Sequence, residues 1–297
     1  MMIDGKALSK DILLYLKHEI AQQVKIGNIP PRLVIFSVKP GSATQAFMRN
    51  KRKAAQEIGA EFELILYKRP PRFENFMKHI SKVSHRSDVH GVIIQEPLPA
   101  TLTTATLVDY IPLGKEIEGF RNKSPFFHPI GLATLTAIKQ TFGVAGSHNI
   151  DDILFDMDKD MLFLKNVLRR KKVVLIGRGK TGGAPIGKLL QQARISHINL
   201  NSKTITTAES FISQADIVIS AVGKKVLEPH MLKPGAAVYS VGMHRENGVW
   251  KGDYDDDEIK DTVLAYIPTP GGIGPLNVAY LMYNLVKAWK IQNTVEV

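Results

Sequence analysis

The sequence predicts an α/β protein of two domains, and three observations carry that prediction. Short apolar runs alternate with segments of helical period, the pattern of strands joined by crossover helices. A stretch of mixed charge without a strand signal, residues 144–170, separates two such alternating halves. The 297 residues suffice for two domains of ordinary size. In the first half, "RLVIFSV" (32–38), "EFELILY" (61–67) and "GVIIQEPLP" (91–99) read as strands. An amphipathic opening helix, a helix over 43–60 and another over about 73–84 accompany them. In the second half the strands are "KVVLIG" (172–177), "HINLNS" (197–202), "DIVISAVG" (216–223) and "AAVYSVG" (236–242). Helices at 183–194 and 207–214 separate the first three. The closing "PLNVAYLMYNLVKAWKI" is an amphipathic helix that the second half does not need, so it is expected to return to the first domain. The expected division is residues 1–146 with 275–297, and residues 147–274.

Composition narrows the chemistry. Hydrophobic residues at 44% and charged residues at 23% are the balance of a soluble globular chain. The opening segment carries Asp4, Lys6, Lys10 and Asp11 where a signal peptide would be apolar. No apolar run reaches the roughly 18 residues of a membrane span, and a soluble, cytoplasmic protein without a membrane partner is expected. The lack of cysteine excludes disulfides, a thiolate nucleophile and thiolate-bound metals. Nine histidines form no metal-ligating or nucleophile-elbow pattern, so no metal is expected. The net charge of +11 fits a nucleic-acid surface, a basic cleft for an anionic ligand, or a well-solvated basic exterior. Scattered basic residues and the lack of a DNA-binding motif argue against the first.

"KVVLIGRGKTGGAPIGKLL" places Gly177, Gly179 and Gly182 in a G-x-G-x-x-G pattern, with a strand before and a helix after. Glycines there let the backbone turn tightly and approach a pyrophosphate at a helix N-terminus, the signature of a Rossmann-type dinucleotide site. A glycine-rich turn with no ligand is the alternative. NAD sites usually offer a carboxylate about 20 residues on for the ribose hydroxyl. Here the next strand ends in Ser202 and Lys203. With Arg178 these suit a 2′-phosphate, and NADP is favoured. "GKT" at 179–181 is not a P-loop, because the glycine needed five positions earlier is Val174.

The first half offers polar candidates of its own. On the 43–60 helix, Phe47 and Lys51 lie one turn apart on one face. Lys51 reads either as a solvated helix lysine or as an acid–base group desolvated in a cleft. Gln95 stands at the end of a buried strand, where α/β sheets place ligands. It either orients a substrate or satisfies the turn before Pro97. Glu118, in "GKEIEGF", is by itself a surface carboxylate. "PTPGGIGPLNVA" (268–279) is a rigid, backbone-exposing loop that either approaches a ligand or turns the chain between domains.

In order, these segments resemble the methylenetetrahydrofolate dehydrogenase/methenyltetrahydrofolate cyclohydrolase family, the bifunctional FolD-type enzymes. The resemblance covers nearly the whole chain. It includes "IDGK" (3–6), "NKRKAAQEIGA" (50–60), "QEPLP" (95–99) for Q-L-P-L-P and "KEIEGF" for K-D-V-D-G-F. It continues with "GRGKTGGAP" for G-R-S-x-I-V-G-x-P, "ADIVISAVGK" (215–224), "RENGVWKGD" (245–253) and "PTPGGIGP" for T-P-V-P-G-G-V-G-P. The resemblance implies two α/β domains around a cleft, tetrahydrofolate derivatives on the first and NADP on the second. It also implies a homodimer; from the scattered charge, no nucleic-acid partner is expected. By position it implies Lys51, Gln95 and Glu118 as catalytic residues. Phe47, Pro97, Leu98, Pro270, Gly271 and Gly272 would line the substrate. Gly177, Arg178, Gly179, Gly182, Ser202, Lys203, Val222, Gly223 and Gly242 would bind the cofactor.

The departures bear on mechanism. Phe47 stands where the family has Tyr, and Glu118 where it has Asp. "FFHPIG" (126–131) replaces P-C-T-P-x-G, Gly179 replaces a Ser, Lys203 an Arg, and Ser240 the Asp of I-D-V-G. Hydride transfer from 5,10-methylenetetrahydrofolate needs alignment and a cofactor, with no obligatory side-chain acid. Hydrolysis of the methenyl product needs proton transfers, for which Lys51 is the group at hand. Loss of the tyrosine hydroxyl is therefore expected to weaken hydrolysis more than oxidation. A divergent paralogue acting on another pterin-like substrate, and a folate- or nucleotide-binding pseudoenzyme, are the alternatives.

Overall fold

The structure, a computed structural model, describes residues 1–103, 106–143, 146–201, 203 and 208–294. Along the chain the described elements begin with α1 (Gly5–Lys25), β1 (Arg32–Val38), α2 (Ser42–Glu57) and β2 (Glu61–Tyr67). Next come α3 (Phe73–Ser84), β3 (Gly91–Ile94), α4 (Pro129–Phe142), α5 (Ile150–Ile153) and α6 (Met161–Leu168). The second half holds β4 (Val173–Ile176), α7 (Gly183–Gln192), β5 (Ile198–Leu200), α8 (Glu209–Ile212), β6 (Ile217–Ser220) and β7 (Ala237–Ser240). It ends with β8 (His244–Glu246), β9 (Val249–Lys251), α9 (Asp256–Ile259), β10 (Ala265–Ile267) and α10 (Ile273–Thr294). Among the described residues no helix is long and apolar enough to cross a membrane.

The chain folds into two compact units. One holds Ile12–Pro129 and the chain from Val278 on, around a three-stranded parallel sheet of order β2-β1-β3. Its central strand β1 is buried on both faces from Leu33 to Val38, which is why "LVIFSV" is an almost unbroken apolar run. Phe36 meets Phe76 of α3 edge-on at 6.0 Å, and Trp289 of α10 is fully buried with its indole N–H on the Ile29 carbonyl at 2.9 Å. The other unit holds Met1–Asp11 and Ile130–Asn277, around a five-stranded parallel sheet of order β10-β7-β6-β4-β5. Its strands β4, β6 and β7 are buried throughout.

The units part elsewhere than the sequence boundaries expected. The N-terminal residues join the five-stranded unit because Tyr266 of β10 and the first residues exchange backbone hydrogen bonds, Ile3 N–H to Tyr266 and Tyr266 N–H to Met1. Helix α4 joins it because Gly131 lies flush against Leu189 of α7 and the Thr141 hydroxyl meets the buried Tyr239 hydroxyl at 2.6 Å. Strand β3 ends at Ile94, short of the expected 99, since Pro97 and Pro99 have no N–H to give a ladder. The expected final helix begins at Ile273, and from Val278 it belongs to the three-stranded unit.

Among its described residues the 144–170 stretch carries no strand and contains α5 and α6. It is organised around Lys139 of α4. That buried ammonium donates to the carbonyls of Asp151 and Leu154 and to the Asp160 carboxylate, each at 2.9 Å. Three donors meet three acceptors, so the charge is fully satisfied. Removing one partner of such a pair typically costs about 3–5 kcal/mol. A Lys139→Met variant is accordingly expected to lose about 3 kcal/mol in urea unfolding and to open residues 147–168 to limited proteolysis. An unchanged unfolding midpoint would mean that the segment is held by other contacts.

Candidate active site

In the five-stranded unit, β4 runs into a turn at Gly177, whose φ of 106° favours glycine. A Cβ on Gly177 would stand 2.5 Å from the Ala221 carbonyl oxygen, and one on Gly183 would overlap the Gly177 carbonyl. Strand and helix therefore approach most closely at Gly183, the residue after the Gly182 that the G-x-G-x-x-G spacing selects. Gly182 instead precedes α7 as its N-cap, and Gly179 faces open space while its carbonyl accepts the Gly182 and Ala184 N–H groups. The Arg178 guanidinium donates to the Asn199 carbonyl at 2.8 Å, at the end of the neighbouring strand. Lys203 is held there through its N–H on Asn201; Ser202 lies outside the described residues. A bare backbone turn leading into a ten-residue helix, with Arg178 reaching from it to β5 and Lys203 just past that strand, fits the phosphates of a dinucleotide.

At the end of β6 the N–H groups of Val222, Gly223 and Lys224 all point to one carboxylate, that of Asp253, at 2.8–3.2 Å. A Cβ on Gly242 would fall on that carboxylate and on the Gly223 nitrogen, so the missing side chain makes room for Asp253. The loop after β10 carries Pro270, Gly271 at φ 111° and Gly272, and Gly272 packs on Gly5 backbone to backbone. Gly272 is buried and Pro270 exposed. Gly183 and Asp253 were not selected from the sequence. Counting from Gly183 would have found the first, whereas Asp253 acts on residues about thirty positions away.

In the three-stranded unit, α2 buries Thr44, Met48, Lys51 and Ala55, a stripe at helical spacing. Lys51 thus belongs to the inward face and is 8% exposed, while Phe47, one turn earlier, is 42% exposed. The Lys51 ammonium donates to Gln95 Oε1 at 3.0 Å and lies 3.5 Å from Glu118 Oε1. Gln95 follows β3, its N–H bound to Phe36 of β1, and its own amide N–H₂ donates to the Glu96 carbonyl. That bond presents the amide oxygen to Lys51. Pro97 is exposed beside it, and the Leu98 N–H is tied to the Glu96 carboxylate at 2.9 Å. Lys51, Gln95 and Glu118 are thus brought together by three separate stretches of chain.

Glu118 sits on a loop fixed from two sides. The buried carboxylate of Glu116 accepts the N–H groups of Glu118 at 2.9 Å and Arg121 at 3.2 Å. From α10, the buried Asn284 amide donates to the carbonyls of Ile117 at 2.8 Å and Phe127 at 2.9 Å. Gly119, at φ 76°, lets the loop pass so close that a Cβ would stand 2.8 Å from the Phe126 carbonyl. His128, where the resemblance has Thr, is buried with its ring edge-on to Phe120 at 4.6 Å. Burial first, and then the negative charge of Glu118, push the Glu116 carboxyl up to about 7.

A buried lysine held between an amide and a carboxylate, together with a parallel sheet opening on a glycine turn for a dinucleotide, defines an α/β enzyme pairing acid–base chemistry with a nicotinamide cofactor. Comparison with known proteins is consistent with that class and specifies the family. Residues 3–118 match the catalytic domain of tetrahydrofolate dehydrogenase/cyclohydrolase, and residues 161–293 match its NAD(P)-binding domain. The chain is 31% identical to the bifunctional protein FolD of Staphylococcus aureus (strain N315), over 99% of its length and 98% of the relative's. Its fold is similar to the FolD methylenetetrahydrofolate dehydrogenase/cyclohydrolase of Campylobacter jejuni, with a TM-score of 0.84, 27% identity, and 98% and 99% of the two chains covered. It is also similar to a 5,10-methylenetetrahydrofolate dehydrogenase of the silkworm Bombyx mori, with a TM-score of 0.77, 27% identity and 98% of each chain covered. The chain belongs to the tetrahydrofolate dehydrogenase/cyclohydrolase family.

Glu116 makes stability depend on pH. Its folded carboxyl binds a proton up to about 7, against an ordinary 4.5, so between those values the folded state holds more protons than the unfolded one. Stability from this group therefore falls as pH rises through that window and is lowest above it, by on the order of 3 kcal/mol. A Glu116→Gln variant is expected to flatten the stability profile between about pH 4.5 and 7. The check is urea unfolding at a series of pH values; an unaltered slope would show that Glu116 is ionised throughout.

Proposed function

We propose that the protein oxidises 5,10-methylenetetrahydrofolate to 5,10-methenyltetrahydrofolate with NADP and hydrolyses the product to 10-formyltetrahydrofolate. The three-stranded unit takes the folate and the five-stranded unit the dinucleotide. The observation that carries this reading is the Lys51–Gln95–Glu118 cluster, on a chain whose two halves match the catalytic and NAD(P)-binding domains of one family. NADP, when bound, supplies the hydride acceptor. The Gly177–Gly183 turn would hold its pyrophosphate, and Arg178 and Lys203 would hold the 2′-phosphate that separates it from NAD.

For hydrolysis, water adds to the methenyl carbon and loses a proton to give a neutral hydroxyl adduct. The bond from that carbon to N5 then breaks as the hydroxyl loses its proton to form the formyl carbonyl and N5 gains one, with one proton released overall. Lys51 is the group placed to carry those protons, with Gln95 fixing its ammonium and Glu118 supplying the balancing charge. Phe47, Pro97 and Leu98 of the three-stranded unit are assigned to the substrate. The exposed face of Phe47 suits stacking on the folate ring, but it brings no hydroxyl to the lysine. Hydrolysis is therefore the weaker of the two activities.

A homodimer in the cytoplasm, without a nucleic-acid partner, completes the reading. Strand β2 is the edge of its sheet and leaves Leu66 exposed, an edge that a second copy would cover. Several basic side chains near it are committed to ion pairs, Arg32 with Glu61 and Asp88, and Arg86 with Glu63 and Asp88. They are not free for phosphates.

Absorbance of methenyltetrahydrofolate tests both steps, its formation with NADP and its decay without it. A Lys51→Met variant is expected to slow the decay by about 10²–10⁴-fold, with a smaller effect on formation. A Phe47→Tyr variant is expected to accelerate the decay and leave formation nearly unchanged. No acceleration would refute the role given to the missing hydroxyl. Neither formation nor decay in the native protein would refute the activity itself.

A further inference from the structure

The carboxylate of Asp253 is fully buried and accepts four hydrogen bonds. The Ser220 hydroxyl donates to Oδ2 at 2.6 Å and the Val222 N–H to the same oxygen at 2.8 Å. The N–H groups of Gly223 and Lys224 donate to Oδ1 at 2.8 and 3.2 Å. Its own N–H is held by the Ser240 hydroxyl oxygen at 2.9 Å, and Gly242 leaves the space that the carboxylate occupies. Three successive backbone N–H groups turned to one point form a concavity that binds anions. In this loop an anion of the chain itself fills it.

The sheet order β10-β7-β6-β4-β5 reverses between β4 and β6, which is where a dinucleotide crosses such a sheet. A ribose held by Arg178 and Lys203 would lie at the β5 side, and the nicotinamide half would then extend to the β6 side, over the loop that Asp253 holds. We propose that Asp253 is a positioning residue for the nicotinamide half of the cofactor. Its carboxylate fixes the Val222–Lys224 backbone in the shape that half requires. By filling the concavity from within, it also leaves the Gly177–Gly183 turn as the place where the pyrophosphate binds. This rests on the NADP-dependent reading above.

An Asp253→Asn variant keeps the size of the side chain but turns an N–H₂ donor towards N–H donors. The test measures NADP and 2′,5′-ADP binding by calorimetry and hydrolysis of methenyltetrahydrofolate without cofactor, for native and variant proteins. The expected result is NADP affinity lower by about tenfold or more, with 2′,5′-ADP affinity and cofactor-free hydrolysis unchanged. A merely structural role would lower NADP and 2′,5′-ADP affinity together, and that outcome overturns the proposal, as does unchanged NADP affinity. If the asparagine variant does not fold, Ser220→Ala removes a single donor and leaves the carboxylate. It is expected to weaken NADP about two- to fivefold with 2′,5′-ADP unaffected, and equal NADP affinity there also overturns the proposal. A native protein that binds 2′,5′-ADP but gains nothing from the rest of NADP overturns the proposal alone. One that binds neither removes the NADP-dependent reading with it.

Discussion

A charge taken out of water must be given partners, and much of this molecule is arranged to meet that requirement. Three buried ionised groups show it, each at the meeting point of segments remote in sequence. Lys51 draws together α2, the end of β3 and the Glu118 loop. Lys139 gathers the chain between α4 and β4. Asp253 ties the end of β6 to the strand hairpin β8–β9 and the chain after it. Hydrophobic burial builds the two sheets, but it is indifferent to which loop lies where. The directional bonds to these charges choose the loop conformations, and the loops carry the chemistry.

The division between what could be read in the sequence and what could not follows the same line. The sheets were legible: β1, β2 and α3 fall where the apolar runs and the helical period put them, because burial leaves a periodic trace. Lys51, Gln95 and Glu118 were singled out through ordered motifs, and their proximity appeared only in the structure. Gly182 was chosen where Gly183 makes the close approach, since the spacing of glycines does not say which one faces the strand. Asp253 left no local trace at all. The N-terminal residues and α4 joined the five-stranded unit through a few backbone bonds and one glycine contact, which composition does not record.

Helix α2 shows that the scaffold does not depend on the aromatic residue one turn before Lys51. The inward stripe from Thr44 to Ala55 sets the rotation of the helix, and the rotation buries the lysine whichever aromatic residue precedes it. Phe47 lies off that stripe and contributes little to the packing that positions Lys51. Set against the Tyr of the family pattern that the sequence resembles, Phe47 would therefore differ in chemistry more than in architecture. His128 and Glu118, where the resemblance has Thr and Asp, belong to the same set of backbone turns.

Helix α10 gives the chain an order of events during synthesis. Asn284, which holds the backbone of Ile117, comes 167 residues after it. Trp289, closing on Ile29, follows by 260. A ribosome therefore delivers the three-stranded sheet early and must finish the five-stranded unit before the helix that closes the first becomes available. The sheet delivered first is enclosed last, and a nascent chain that has already shown its nucleotide turn still lacks the Asn284 bonds to the Glu118 loop.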